Sequence, residues 1–280
     1  MSRGKKLLKI INQNKPFLAV FSLFLSLLLV VGSTYSWITY SDEKINTSKS
    51  NAKKLSAIIE ETFTPNLQWV PGKTTTNELS VKNNGQIPAI VRISLYEFFA
   101  QFELDMTDSA GNGSRKIVNH SSGSDMQVED VSTWAKKNTY KVASGKYFTA
   151  SEVYKGDISN PNTAYVYKGN RRVDSLSYLT IQFNDKDIYD EKNKPISGRK
   201  NYWYYSDGYF YYSEVLQPKE KTKQLVQSVV LEKNIPNQYK GSLYQLIPVM
   251  DAHDSTTSLL KDWKITSNSY VETMYRGKVH

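Results

Sequence analysis

Hydrophobic and polar positions alternate along most of this chain with a period of two. In Ala89-Ile90-Val91-Arg92-Ile93-Ser94-Leu95-Tyr96, positions 89, 91, 93 and 95 are apolar while Arg92 and Ser94 point the other way, as in a half-buried strand. Residues 178–183 repeat the rule, with Leu179, Ile181 and Phe183 inward and Thr180 and Gln182 outward. Leu79 and Val81 alternate with Ser80 and Lys82 ahead of Asn84-Gly85, a turn-forming dipeptide. Leu225, Val229 and Leu231 share a face whose one polar member is Gln227. The clearest hairpin has two aromatic arms, Tyr202-Trp203-Tyr204-Tyr205 and Tyr209-Phe210-Tyr211-Tyr212, flanking Ser206-Asp207-Gly208. Glycine there accepts the positive φ that a tight turn demands. Residues 50–61 suit a short helix or a strand equally.

Residues 106–170 differ in composition, with six glycines, many Ser and Asn and few aliphatics. They read as a polar insertion with extended structure around 140–148 and 164–168. No repeat at a solenoid period is visible. Short strands separated by turns, with almost no helix, predict an all-β chain folded as a jelly-roll-like β-sandwich over residues 50–265, followed by a C-terminal tail at 266–280.

The N-terminus follows a different rule. A basic stretch precedes residues 17–31, an apolar run interrupted only by Ser22 and Ser26. As a helix it spans about 22 Å, short of the ~30 Å hydrocarbon core. Thr34 and Ser36 take the −3 and −1 positions of a cut between Ser36 and Trp37, so residues 1–36 read as a signal peptide with a signal helix. A cut after Ser33 is a second possibility. An uncleaved anchor continuing through Trp37 and Ile38 is the alternative, and either way the body works outside the cytoplasm.

Charge changes meaning once divided. Of the net +9, residues 1–36 supply +5 through Arg3, Lys5, Lys6, Lys9 and Lys15. The rest is mildly basic with signs interspersed, which is no footprint for nucleic acid. Twenty tyrosines favour strands. The absence of cysteine excludes disulfide scaffolds, thiolate zinc sites and Cys nucleophiles.

Catalytic and metal patterns fail one by one. No His-Glu-x-x-His occurs, and His120, His253 and His280 stand in unrelated contexts. His253 lies between Asp251 and Asp254 as a surface imidazole would. Ser-x-x-Lys occurs at Ser41, Ser50 and Ser197 without companion motifs. Asp185, Asp187, Asp190 and Glu191 lack the glycine and terminal glutamate of a calcium loop. The aromatic hairpin admits sugar stacking, but cross-strand pairing inside a sheet accounts for it without a ligand. The reading is therefore of a chain with no catalytic residue, metal or cofactor.

Three blocks carry a resemblance. The first is Gly32-Ser33-Thr34-Tyr35-Ser36-Trp37-Ile38-Thr39-Tyr40-Ser41-Asp42. The second combines Phe63-Thr64-Pro65, Trp69-Val70-Pro71-Gly72-Lys73-Thr74, Val81-Lys82-Asn83-Asn84-Gly85 and Pro88-Ala89-Ile90-Val91-Arg92. The third is Asp207-Gly208-Tyr209-Phe210-Tyr211-Tyr212 with Leu216-Gln217-Pro218 and Pro236-Asn237-Gln238-Tyr239-Lys240-Gly241. In order and spacing they resemble the BsaA-type SipW-dependent biofilm matrix proteins, relatives of TasA and camelysin. Ile38 and Tyr40 stand where that family usually has Phe and Asp, and Lys219 where it has glycine.

The resemblance implies a jelly-roll subunit of a Gram-positive bacterium, exported, cut between Ser36 and Trp37 by a dedicated signal peptidase, and polymerised head to tail into extracellular matrix fibres. An accessory fibre protein is an implied further partner. In such fibres the mature N-terminal segment enters the next subunit as a strand, which is β-augmentation. Here the candidate donor is residues 37–49, led by Trp37, Ile38, Thr39 and Tyr40, with Trp37 and Thr39 on one face and Ile38 and Tyr40 on the other. A camelysin-like peptidase and a carbohydrate-binding adhesin are the alternatives.

Overall fold

A computed structural model of the protein describes residues 54–61, 71–72, 74–107, 113–120 and 125–280. The chain divides into Met1–Glu43 and Lys44–His280, and every described residue belongs to the second unit. The expected signal helix lies outside the described residues. Among those described, no helix is long and apolar enough to cross a membrane.

Strand dominates. The strands are β1 (Ala57–Glu61), β2 (Thr74–Asn83), β3 (Ile90–Phe102), β4 (Thr139–Ala143), β5 (Lys146–Lys155), β6 (Leu179–Phe183), β7 (Ile188–Tyr189), β8 (Trp203–Ser206), β9 (Tyr209–Tyr212), β10 (Val226–Leu231) and β11 (Leu243–His253). Two short helices, α1 (Ser258–Asp262) and α2 (Tyr270–Arg276), follow them. One sheet has the order β1-β2-β10-β6. The other runs β4-β5-β3-β9-β8-β7, with β11 paired to the opposite side of β3. All pairings are antiparallel except β7 with β8.

The two sheets share one core. Leu79, Val81, Ile181, Phe183 and Val229 from the first meet Ile93, Leu95, Trp203, Phe210 and Leu246 from the second. Each such side chain stabilises the fold by roughly 1.5–3 kcal/mol relative to exposure. The alternation read at residues 178–183 holds in β6, which buries its odd positions and exposes Thr180 and Gln182. The ambiguity over residues 50–61 resolves into strand at β1, paired with β2 from Ala57↔Asn83 to Glu61↔Leu79. Gln227 sits at a register shift in β10, so it turns outward while Leu225 and Val226 are both buried. A bulge, not a polar core residue, explains the break in that pattern.

The hairpin forms as read, with Trp203↔Tyr212 and Ser206↔Tyr209 in register around Asp207 at φ 51° and Gly208 at φ 84°. Two consecutive positive φ values match the right-handed twist of the arms. A Cβ at Gly208 would also stand 3.2 Å from the Pro161 carbonyl oxygen. Gly208→Ala is expected to cost about 1 kcal/mol or more, read as a drop of about 3 °C in thermal unfolding.

β3 departs from its half-buried expectation, for both faces are covered. Arg92, Ser94 and Tyr96 are buried alongside the inward set. One cover comes from residues 125–164 of the expected polar insertion. Met126, Val128 and Trp134 pack there on Phe98, Ala100 and Phe102, and the Trp134 indole donates to the Gln127 carbonyl at 2.7 Å. The β4–β5 hairpin realises the extended structure expected at 140–148. Residues 164–168 form no strand; the Tyr165 N–H makes a single bond to the Leu95 carbonyl at 2.7 Å.

The second cover is the chain's end. Residues 266–280, set apart in the sequence as a tail, contain α2 and bury Val271, Met274, Tyr275 and Val279 against Ile90, Tyr204 and Tyr211. The Tyr275 hydroxyl donates to the Tyr212 carbonyl at 2.8 Å.

Proline placement fixes one edge. Because the Leu95 carbonyl is turned toward Tyr165, Leu95 faces away from β11, and its partner Pro248 presents its missing N–H to the outer edge.

Candidate functional site

The sequence-read site residues Ser36, Trp37, Ile38, Thr39 and Tyr40 lie outside the described residues. What the structure describes is where the following chain joins the body. The Gln86 N–H donates to the Lys54 carbonyl at 2.8 Å and the Gly85 N–H to the Ser56 carbonyl at 2.9 Å. A Cβ on Gly85 would fall 2.6 Å from the Ser56 nitrogen, so only glycine permits this approach. Asn83 holds the loop. Its amide donates to Ile87 and Leu216 carbonyls at 2.8 and 2.9 Å, and its oxygen accepts from the Gly85 N–H at 2.8 Å. The chain thus enters at β1, an edge strand of the four-stranded sheet.

Among the described residues β1 covers only half of β2. Its last pair is Glu61↔Leu79, whereas β2 begins at Thr74 and pairs β10 through Thr74, Thr75 and Thr76. Among the described residues, 74–78 have a strand neighbour on the β10 side alone. On the inner face of this half stand Thr75 and Asn77. The Thr75 hydroxyl and both ends of the Asn77 amide are buried without a well-formed hydrogen bond, and Asn77 is only 1% exposed. Buried amides left unpaired are costly and rare. Glu61 keeps part of its surface in solvent, yet burial of its carboxyl pushes it up to about 7, against the opposing pull of Asn77.

The aromatic hairpin is structural. Six of its eight rings are buried, Trp203, Phe210 and Tyr212 in the inter-sheet core and Tyr202, Tyr204 and Tyr211 under the C-terminal helices. Tyr204 stacks on Tyr270 with centroids 4.3 Å apart. No continuous ring surface is left for a sugar along the ladder. Tyr209, half-buried, lines instead a cleft of about 350 Å³ between the hairpin turn and the segment joining α1 to α2.

Arg92 forms the floor of that cleft. Its guanidinium lies 4.0 Å from the Tyr209 ring and 4.7 Å from the Trp263 ring, bonds Asp251 at 2.8 and 2.9 Å, and donates to the Trp263 carbonyl at 3.2 Å. Asp251 is therefore spent on Arg92 and not on His253. The imidazole is held instead by Asp254 on Nδ1 and Asp262 on Nε2, each at 2.9 Å, and its hydrogen bond holds the Asp262 carboxyl below the usual range. Ser258 stands 3.4 Å from the same Nε2. With Asp262 already on that nitrogen, His253 is not placed to activate Ser258, and the group works as a clasp between β11 and α1.

Among the described residues no three His, Asp or Glu side chains gather to hold a metal. The acids at 185–191 are dispersed among separate partners: Asp185 accepts from Tyr167, Asp187 pairs Arg199, and Glu191 pairs Lys194. One buried ionic cluster was not legible in the sequence. Glu97 on β3 accepts from the Arg171 guanidinium and, at 2.8 Å, from the Tyr244 hydroxyl. Burial pushes the Glu97 carboxyl up while Arg171 opposes it. Its members are 74 and 147 residues apart, so no local pattern announces it. No protein-family model matches the chain, and no curated protein or solved structure matches it either.

Proposed function

We propose that this protein is an exported structural subunit, a jelly-roll-like sandwich that polymerises head to tail into extracellular matrix fibres by lending residues 37–49 to its neighbour. The three sequence blocks support the export route and the processing between Ser36 and Trp37. The observation that carries the mechanism is the inner face of β2 at 74–78, where among the described residues no strand lies on the β1 side and the Thr75 hydroxyl and the Asn77 amide lack a well-formed hydrogen bond. An added strand at this edge would supply both backbone bonds and side-chain partners. The donor segment fits that need, because Thr39 and Ser41 carry hydroxyls at the same two-residue spacing as Thr75 and Asn77. A contact of this kind is heterologous and does not close, so it makes filaments.

Asn77→Leu separates fold from assembly. Replacing a buried amide that lacks a well-formed hydrogen bond with an apolar side chain is expected to stabilise the monomer by about 1–3 kcal/mol in thermal unfolding. The same change removes a polar contact for the incoming strand, so the critical concentration for filaments is expected to rise. A stabilised monomer that assembles as readily as before would remove this half of β2 as the acceptor.

A further inference from the structure

The cleft above Arg92 belongs to no part of the polymer mechanism. It is walled by the β8–β9 turn and β9, by Pro161, and by α1, α2 and the segment that joins them. Its volume of about 350 Å³ is within the range of small-molecule sites. At its base the Arg92 charge is matched by Asp251 and lies between the Tyr209 and Trp263 rings.

The rim is polar and mixed in sign. Asp207 stands on one side, with one carboxylate oxygen accepting from the Ser206 hydroxyl at 2.9 Å. Lys264 and Thr266 stand on the other, and the Lys264 ammonium enters no ion pair among the described residues. Lys264 also occupies the residue after the α1 cap at φ 52°, a conformation in which glycine is the usual choice. A lysine held there costs backbone energy that its side chain does not recover from a partner among the described residues.

We infer that this cleft binds an uncharged saccharide. An anion would face Asp207 and Asp262, and a polyamine would face Lys264. A purely apolar ligand would strand the donors and acceptors of the rim without partners. A polyhydroxylated, neutral ligand both donates and accepts, so it satisfies Asp207, Lys264 and Thr266 together while its apolar ring face lies on Tyr209. The site stands independently of the fibre mechanism, since it shares no residue with the β2 edge.

The test is calorimetric titration of the mature full chain with chitohexaose, cellohexaose and maltohexaose, and with oligogalacturonate and spermine as charged probes. At least one neutral oligosaccharide is expected to saturate with a Kd of roughly 1 mM or tighter. Lys264→Ala combined with Thr266→Ala, both outside the packed core, is expected to weaken it about tenfold with thermal unfolding unchanged. Asp207→Asn keeps a residue tolerant of positive φ at the turn and is expected to weaken binding less. No heat with any neutral oligosaccharide, binding of the charged probes only, or full affinity in the double variant would each overturn the assignment.

Discussion

Protein beginning at Trp37 is expected to assemble into filaments, and protein beginning at Ser48 is expected to remain a folded monomer with essentially all filament mass lost. The asymmetry follows from where the packing lies. Among the described residues the inter-sheet core draws on Ala57 onward, and removing 37–47 takes none of these away. Far-ultraviolet circular dichroism and thermal unfolding are expected to be the same for the two proteins. Under the proposed mechanism only the strand lent to the neighbour, with its ladder of backbone hydrogen bonds, is removed. Electron microscopy and sedimentation velocity report the outcome. Filaments of equal abundance from the shortened chain would end the donor-strand mechanism, and a full-length mature protein that stays monomeric at high concentration would end the polymer reading itself.

A second large effect is expected at the buried ionic cluster. Arg171→Met strands the Glu97 carboxyl, whose side chain is only 7% exposed, and is expected to cost about 3–5 kcal/mol, or roughly 10 °C in thermal unfolding. Glu97→Gln added to Arg171→Met removes the stranded charge and is expected to recover much of that loss. The pH dependence has a definite sign. Burial already raises the Glu97 carboxyl, and without Arg171 its chief opposing charge is gone. A group raised in the folded state stabilises the fold below its unfolded value, about 4, and that stability is lost as pH rises through the folded value. The single variant is therefore expected to come nearest to the parent at acid pH and fall behind toward neutrality. An equal deficit at both ends of the range, or a double variant as weak as the single, would show that Arg171 acts through packing instead.

Much of the strand layout was legible because half-buried strands write their geometry locally. β2, β6 and the β8–β9 hairpin depend on alternation and on a turn dipeptide, and those signals sit within a dozen residues. The covers of β3 were not legible. Arg92 and Ser94 look solvent-facing in sequence, yet α1, α2 and residues 125–164 lie over that face, and those segments come from far along the chain. The polar composition of the insertion concealed Trp134, which is fully buried. Gln227 misled because a bulge changes the phase of alternation at the start of β10. At the candidate acceptor, Asn77 reads as one more polar residue in Thr74-Thr75-Thr76-Asn77; only the register with β1 places it inward and beyond the last pair. His253 reads as a surface imidazole beside Asp251 and Asp254, yet its side chain is only 16% exposed and Asp262, not Asp251, is its second holder.

Pro248 has a consequence for how copies of this protein meet sideways. β11 is long and largely apolar, the sort of margin along which foreign chains would otherwise template cross-β stacks. A rung is missing halfway along it, so a stack started at either end is interrupted at the imide. Growth by lateral zippering is thereby discouraged along this margin, so that a polymer of the proposed kind would not be diverted there into sideways stacking.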